Sequence, residues 1–222
     1  MKADWFLPAA AAHLPWLARR LEIDCTVARD VVALTFDDGP HAEATPAILE
    51  LLDEHRAIAT FFLVGEQVER RPRLAREIVA AGHEVAVHGY RHQLLLRRRT
   101  HTLAADLDRA TSVIADATGM APTLYRPPYG VFSSGALELV RALGWRPLLW
   151  SAWGRDWERR ATGLSVARRV TRRLAPGDVV LLHDSDAYGA AGSWRATAAA
   201  LPSVLAAIAA LGVSAAAVTD ST

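Results

Sequence analysis

From residue 31 onward the chain alternates short β-branched or apolar runs with amphipathic stretches of helical spacing, and this alternation limits the fold more than any other feature. The strand-like runs cover residues 31–36, 60–64, 84–87, 123–126, 147–150, 179–183 and 213–218. The helical stretches between them cover 44–55, 66–81, 102–118, 134–143, 163–174 and 195–211. Strands separated by single helices run parallel, because each crossover returns the chain to the same end of the sheet. The expectation is one α/β domain over residues 30–219, built on a parallel sheet or barrel, with a preface segment over 1–29. Periodicity leaves open sheet and closed barrel as alternatives. In both, ligand sites gather where strands end and the following loops begin.

Composition narrows the chemistry. With 51% hydrophobic residues and a net charge of +1, from 25 Lys+Arg against 24 Asp+Glu, the chain has a core and is not a disordered polyelectrolyte. Cys25 is its one cysteine, which excludes an intrachain disulfide and a cysteine-based zinc site. A metal ion, if held, sits on histidine and carboxylate. Only Lys2 among the basic residues is lysine, so the arginine load reads as a compositional bias, and no nucleic-acid partner is inferred.

Residues 196–218 are uncharged over a membrane-spanning length, yet Pro202, Ser203 and Gly212 interrupt them. Leu201, Val204, Leu205, Ile208 and Leu211 fall on one helical face, so the run reads as an amphipathic helix capped by Gly212 and followed by a strand. Asp4, Pro8, His13 and Pro15 break the apolar stretch of the preface, which is expected to dock through Trp5, Phe6 and Trp16 rather than act as a signal peptide. The literal reading is a cytoplasmic protein, or one associated peripherally with the inner membrane face.

Chemically capable residues collect at the predicted strand ends. The first strand runs into Thr35-Phe36-Asp37-Asp38-Gly39-Pro40, the third into His88-Gly89-Tyr90-Arg91-His92, and the fourth into Arg126-Pro127-Pro128-Tyr129-Gly130. The fifth leads to Trp150 and then Asp156-Trp157, and the sixth ends in Leu181-Leu182-His183-Asp184. Adjacent carboxylates leaving an apolar strand repel each other unless a cation or proton compensates one of them; the alternative is a solvated Asp-Gly-Pro turn. His88 and His92, at i and i+4, share one side of a helical turn, the geometry a divalent ion needs; the alternative is a pair of surface histidines. One carboxylate with two imidazoles is an open coordination set for Zn²⁺ or another first-row ion.

This ordered set resembles the polysaccharide deacetylases, carbohydrate esterase family 4, over about residues 30–219. TFDDGP at residues 35–40 matches the family's first motif unchanged. The resemblance implies a distorted seven-stranded (β/α) barrel and a hydrolase that removes an N-acetyl group from an amino sugar, polymeric, oligomeric or lipid-linked. It implies Asp37 as catalytic base, and Asp38, His88 and His92 as ligands of one divalent ion: Zn²⁺ first, with Co²⁺, Ni²⁺, Mn²⁺ or Fe²⁺ as alternatives. Arg126 would orient the base, and the backbone N–H at Tyr129 would help hold the oxyanion. Asp156 and Trp157 match the end of the fourth motif, and Leu181 and His183 the fifth, whose histidine serves as general acid. The partner implied is a carbohydrate or glycolipid substrate, with no oligomeric state assigned. A deformylase or amidase, and a non-catalytic carbohydrate-binding protein, are the alternatives.

Two positions depart from the family pattern. Gly89 stands where a serine or threonine usually braces the metal loop, and Trp153 stands where the fourth motif usually opens with aspartate. Trp153 at the mouth of the site is expected to stack on a sugar face or an apolar aglycone in preference to a highly charged polymer, or else to pack inward. Trp145 and Trp150 read as packing residues, and Trp194 as either a sugar platform or a cover. Arg97, Arg98 and Arg99 form a basic patch. His13, His55, His83 and His101 fit no constellation, and His41 is notable only for following the first motif.

Overall fold

Strand β1 (Val31–Asp37) is buried along every residue after the first, because parallel neighbours lie on both its edges and helices cover its faces. The computed structural model describes residues 8–96 and 99–219. The expectations for Trp5, Phe6, Arg97 and Arg98 lie outside the described residues. The other strands are β2 (Thr60–Leu63), β3 (Glu84–Val87), β4 (Leu124–Tyr125), β5 (Arg146–Pro147), β6 (Ala152–Trp153), β7 (Val179–His183) and β8 (Ser214–Ala216). The helices are α1 (Pro15–Arg20), α2 (Ala44–Glu54), α3 (Gly65–Arg70), α4 (Pro72–Ala80), α5 (Thr100–Thr118), α6 (Ser134–Ala142), α7 (Gly163–Thr171) and α8 (Trp194–Ala210).

Seven strands follow the order β5-β4-β3-β2-β1-β7-β6, and β8 pairs with the first residues of β1. All these ladders are parallel, and the sheet curls into a half-barrel, the distorted (β/α) form expected, with β5 and β6 at its ends. Their register sets the carboxyl ends of β1, β2 and β7 level: Asp37 lies beside Phe62 on one side and His183 on the other. Phe36 and Phe61 stack at 5.1 Å inside the core.

Several boundaries differ from the sequence expectation for physical reasons. The helix expected over 66–81 is two helices, because Pro72 opens α4 and drives Arg71 out of the helical region to φ −141°, ψ 55°. The strand expected over 147–150 is displaced to Arg146–Pro147, and a further strand, β6, appears at Ala152–Trp153. Two residues are too few to show a period. Helix α8 buries Leu201, Val204, Leu205 and Ile208, whereas Leu211, at its C-cap, is exposed. Gly212 follows at φ 75°, as a helix terminator should. Among the described residues no helix is long and apolar enough to cross a membrane. The preface docks through Ala11, Leu17, Ala18 and Ile23, and Trp16 is 54% exposed, contrary to its expected role.

Candidate active site

The loop after β1 bends sharply at Asp38, whose φ of 80° lies in the left-handed region that non-glycine residues avoid. That turn brings the Asp38 Oδ1 within 3.4 Å of His88 Nε2 and 3.3 Å of His92 Nε2. The two imidazoles meet across an irregular loop, not on the helical turn that their spacing suggested, because Gly89 at φ 91° reverses the chain between them. Their ring centroids are 5.3 Å apart. A serine or threonine at residue 89 would be strained at that φ. Asp106 of α5 supplies the bracing instead, accepting the Tyr90 N–H at 2.8 Å.

These three residues fit a metal ion. They form a group of ligating side chains with donor atoms within 4.8 Å of one another, and the Asp38 Oδ1, which both Nε2 atoms face, is buried without a hydrogen-bond partner. Bonds of about 2.0–2.1 Å to a tetrahedral ion would separate ligand atoms by about 3.4 Å, close to the spacing of Asp38 from each imidazole. His88 Nδ1 lies 2.8 Å from the Arg126 carbonyl, which only accepts, so the ring donates there and keeps its Nε2 lone pair for the ion. Burial holds His92 down at about pKa 4, outweighing the pull of Asp38, so its ring is neutral at pH 7. Burial pushes the Asp38 carboxyl up, but the imidazoles that surround it, His88 first and then His183 and His92, bring it below the usual carboxylate range.

On one side of this group lies Asp37. Its Oδ1 accepts from Arg126 Nη1 at 2.6 Å, and Arg126 is fully buried, donating also to Thr35 Oγ1 at 2.9 Å and the Leu149 carbonyl at 3.0 Å. The guanidinium sits 4.1 Å above the Phe62 ring. One carboxylate oxygen is thereby locked, and the other, Oδ2, lies 3.8 Å from His88 Nε2.

On the other side, His183 at the end of β7 donates through Nδ1 to Asp156 Oδ1 at 2.9 Å and aims Nε2 at Asp38 Oδ2, 4.0 Å away. Asp156 is fixed in turn: its Oδ2 accepts from the His183 N–H at 2.7 Å and the Thr197 hydroxyl at 2.6 Å. Burial opposes a charge on His183, yet Asp156, followed by Asp38 and Asp37, pushes its pKa up to about 10. The ring is therefore an imidazolium at neutral pH.

A cavity of about 370 Å³ joins Asp37, Asp38, His88, His92 and His183, and Tyr129, Leu181, Trp153 and Trp157 wall it. Arg126 and Asp156 lie behind it as supports. Tyr129 adopts φ 61° in a short 3₁₀ turn, Pro128–Gly130, and is 58% exposed. Trp153 is half-buried between Trp150 and Trp157, at centroid separations of 5.6 and 5.5 Å.

Four residues to which the sequence assigns no part in the site also line the cavity, Gly130 among them. Trp150, expected only to pack, lines it, and Gly130 presses so closely on the indole that a Cβ there would collide with it. His13, from the preface, lines the mouth 6.0 Å from Trp153. Tyr188 stacks on His92 at 4.3 Å and 12°, anchored through its hydroxyl by Glu66 at 2.7 Å and Gln67 at 3.1 Å.

Sequence reasoning also misses Asp184, although it follows His183. Burial raises its carboxyl to about pKa 7, and Oδ2 accepts from Thr45 at 2.5 Å beneath the first loop. A further carboxylate at a strand end was the available signal. His41 caps α2, its Nδ1 accepting from the Glu43 and Ala44 N–H groups at 3.2 and 3.1 Å. Trp194 is outside the cavity, with Arg195 over its ring at 4.5 Å.

The polysaccharide deacetylase family model matches residues 25–148. The chain is 39% identical over 154 residues to a chitooligosaccharide deacetylase of Bradyrhizobium sp. (strain ANU 289), covering 69% of this chain and 70% of the relative. It is 32% identical over 172 residues to the peptidoglycan-N-acetylglucosamine deacetylase PgdA of Listeria monocytogenes serotype 1/2a (strain 10403S), covering 78% of this chain. The matched segment spans 36% of that larger relative. Among solved structures, the Bc1960 peptidoglycan N-acetylglucosamine deacetylase superposes with a TM-score of 0.85 at 26% identity, over 94% of this chain and 95% of that one. The BA3943 pseudoenzyme of Bacillus anthracis superposes at 0.78 and 27% identity, over 87% of this chain and 65% of that one. With a family model matched over more than half its length and relatives at this level of identity, the chain belongs to the polysaccharide deacetylase family.

Proposed function

We propose that the protein is a metal-dependent hydrolase that removes the N-acetyl group from an amino sugar within a carbohydrate chain, with residues 30–219 as the catalytic unit. The observation that carries this reading is the flanking of Asp38, His88 and His92 by a carboxylate locked to a buried arginine on one side and an imidazolium locked to a buried aspartate on the other.

Asp38, His88 and His92 would hold the ion, with Zn²⁺ favoured by the nitrogen-rich donor set. When bound, it supplies Lewis acidity and lowers the pKa of water towards about 7. Asp37 accepts the proton from the attacking water on Oδ2, since Arg126 occupies Oδ1 and keeps the carboxylate from rotating. The tetrahedral oxyanion is met by the backbone N–H at Tyr129. His183 passes its Nε2 proton to the departing amine as the C–N bond breaks, and Asp156, accepting from Nδ1–H, orients the ring and keeps it an imidazolium until that transfer. Leu181, Trp150 and Trp157 wall a pocket whose apolar surface suits a small acyl group.

Acetate release from N-acetylglucosamine oligomers tests the reading, with formyl and larger acyl analogues run in parallel. Release of acetate that is lost in Asp37→Asn supports it. Formate release alone would favour a deformylase. Oligomer binding with no acyl release would make the protein a non-catalytic binder, a pseudoenzyme like its BA3943 neighbour; against this, the base, ligands, arginine and acid are all present.

A further inference from the structure

A second concavity, about 490 Å³, shares Trp153 with the catalytic cavity. Its other walls are Arg155 and one face of α7, where Ser165, Arg168, Arg169 and Arg172 recur at i, i+3, i+4 and i+7. The opposite face of α7, with Val166 and Val170, is buried in the core. Four guanidinium groups thus converge on one groove, and arginine keeps its charge throughout the accessible pH range.

The groove is short of negative charge. Glu158 serves two of the four, lying 2.9 Å from Arg169 and 3.5 Å from Arg155. Arg168 and Arg172 have no carboxylate partner among the described residues, and as like charges at i and i+4 they work against the helix that carries them. Arg155 also lies 5.0 Å over the Trp153 ring, so the wall between the cavities presents an aromatic face on one side and a cation on the other.

We propose that this groove is an anion subsite, receiving an acidic substituent, carboxylate or phosphate, of the same glycan whose acyl group lies over Asp38, His88 and His92. The inference rests on the deacetylase reading and narrows it to acidic amino-sugar chains. It also reverses the expectation that Trp153 turns charged polymers away. The planar fork of arginine binds either anion in bidentate fashion. Concavity and the wall shared with the reacting centre favour a glycan over a membrane surface, for which α7 offers Leu164, 73% exposed, as its one large exposed apolar side chain.

Three N-acetylglucosamine oligomers of equal length test this: one neutral, one carrying carboxylates on alternate residues, one carrying phosphates. They would be assayed for kcat/KM and, by calorimetry, for binding, with wild type and with the exposed double variant Arg168→Gln/Arg172→Gln. Wild type should prefer an acidic oligomer by tenfold or more at low salt, and the variant should lose that preference while handling the neutral oligomer unchanged. The acidic oligomer preferred identifies the substituent. Equal treatment of all three by wild type, or an undiminished preference in the variant, would overturn the subsite. If no oligomer releases acetate yet calorimetry shows the acidic preference and its loss, the subsite stands and the deacetylase reading falls. Phosphatidylglycerol vesicles bound by wild type and not by the variant, without discrimination among oligomers, would replace the glycan with a membrane.

Discussion

The proposed metal-ligand triad and the two groups flanking it lie in the same cavity but are finished differently. Asp37 and His183 each have one polar atom locked by a buried partner, Arg126 or Asp156, which is itself held by further hydrogen bonds. In the triad the Asp38 Oδ1, which both imidazole Nε2 atoms face, is buried without a hydrogen-bond partner. A group that must pass one proton in one direction gains from saturation, because its orientation and charge are set in advance. A carboxylate placed to bind a cation is left short of partners, at a cost of the order of 1–3 kcal/mol until the cation arrives.

The largest break in this contrast comes from Asp38→Ala. It should reduce metal content from one ion per chain to near none and abolish turnover, as elemental analysis and an activity assay would show. Full occupancy in that variant would remove Asp38 from the ligand set. Next, Arg126→Met leaves Asp37 as a buried, unpaired carboxylate. Breaking a buried pair in this way costs about 3–5 kcal/mol, visible as a large fall in Tm by calorimetry.

Asp37→Asn keeps the shape and removes the proton acceptor. It should lower kcat by about 10²–10⁴ with the metal retained. Loss of metal from a normally folded Asp37→Asn protein would exchange the roles of Asp37 and Asp38.

A smaller and more selective effect is expected from Asp156→Asn. The folded pKa of His183, about 10, stands above the usual ~6.5 of histidine. Its ion pair therefore contributes stability that is whole below about pH 6.5 and is lost as pH rises through about 10. Removing the Asp156 charge should move the alkaline limb of kcat/KM towards neutrality by more than one pH unit and flatten that pH dependence of stability. An alkaline limb in the same place would assign the acid to another residue.

The smallest effect belongs to Trp153. Trp153→Phe keeps most of the packing against Trp150 and Trp157 and loses one N–H, so Tm should change little and KM should rise a few-fold. Unchanged kinetics would mean that the indole only fills space.

Most of this site was legible because parallel strands deliver their C-terminal ends to one place. Asp37, Asp38, His88, His92, Arg126 and His183 could therefore be grouped by their position after a strand, without any contact being known. What stayed hidden arises from approach between distant segments. His13 comes from the preface, Tyr188 from the loop after β7, and Thr197 from α8, and no local pattern marks a residue that matters only through the partner it meets. Proline at residue 72 was a visible signal that the helix expected over 66–81 breaks. Strand β6 gave none, since two residues carry no alternation.

Gly39 carries a consequence for how such a chain can vary. It is not among the residues at positive φ, so its backbone would accept any side chain, yet a Cβ there would overlap the Asp184 carboxylate. That carboxylate is itself tied to Thr45 under the same loop. Residues 39 and 184, far apart in the chain, are therefore a single heritable unit. Saturation mutagenesis at residue 39 alone should return only glycine among functional clones, whereas a library that also shortens residue 184 should readmit alanine and serine.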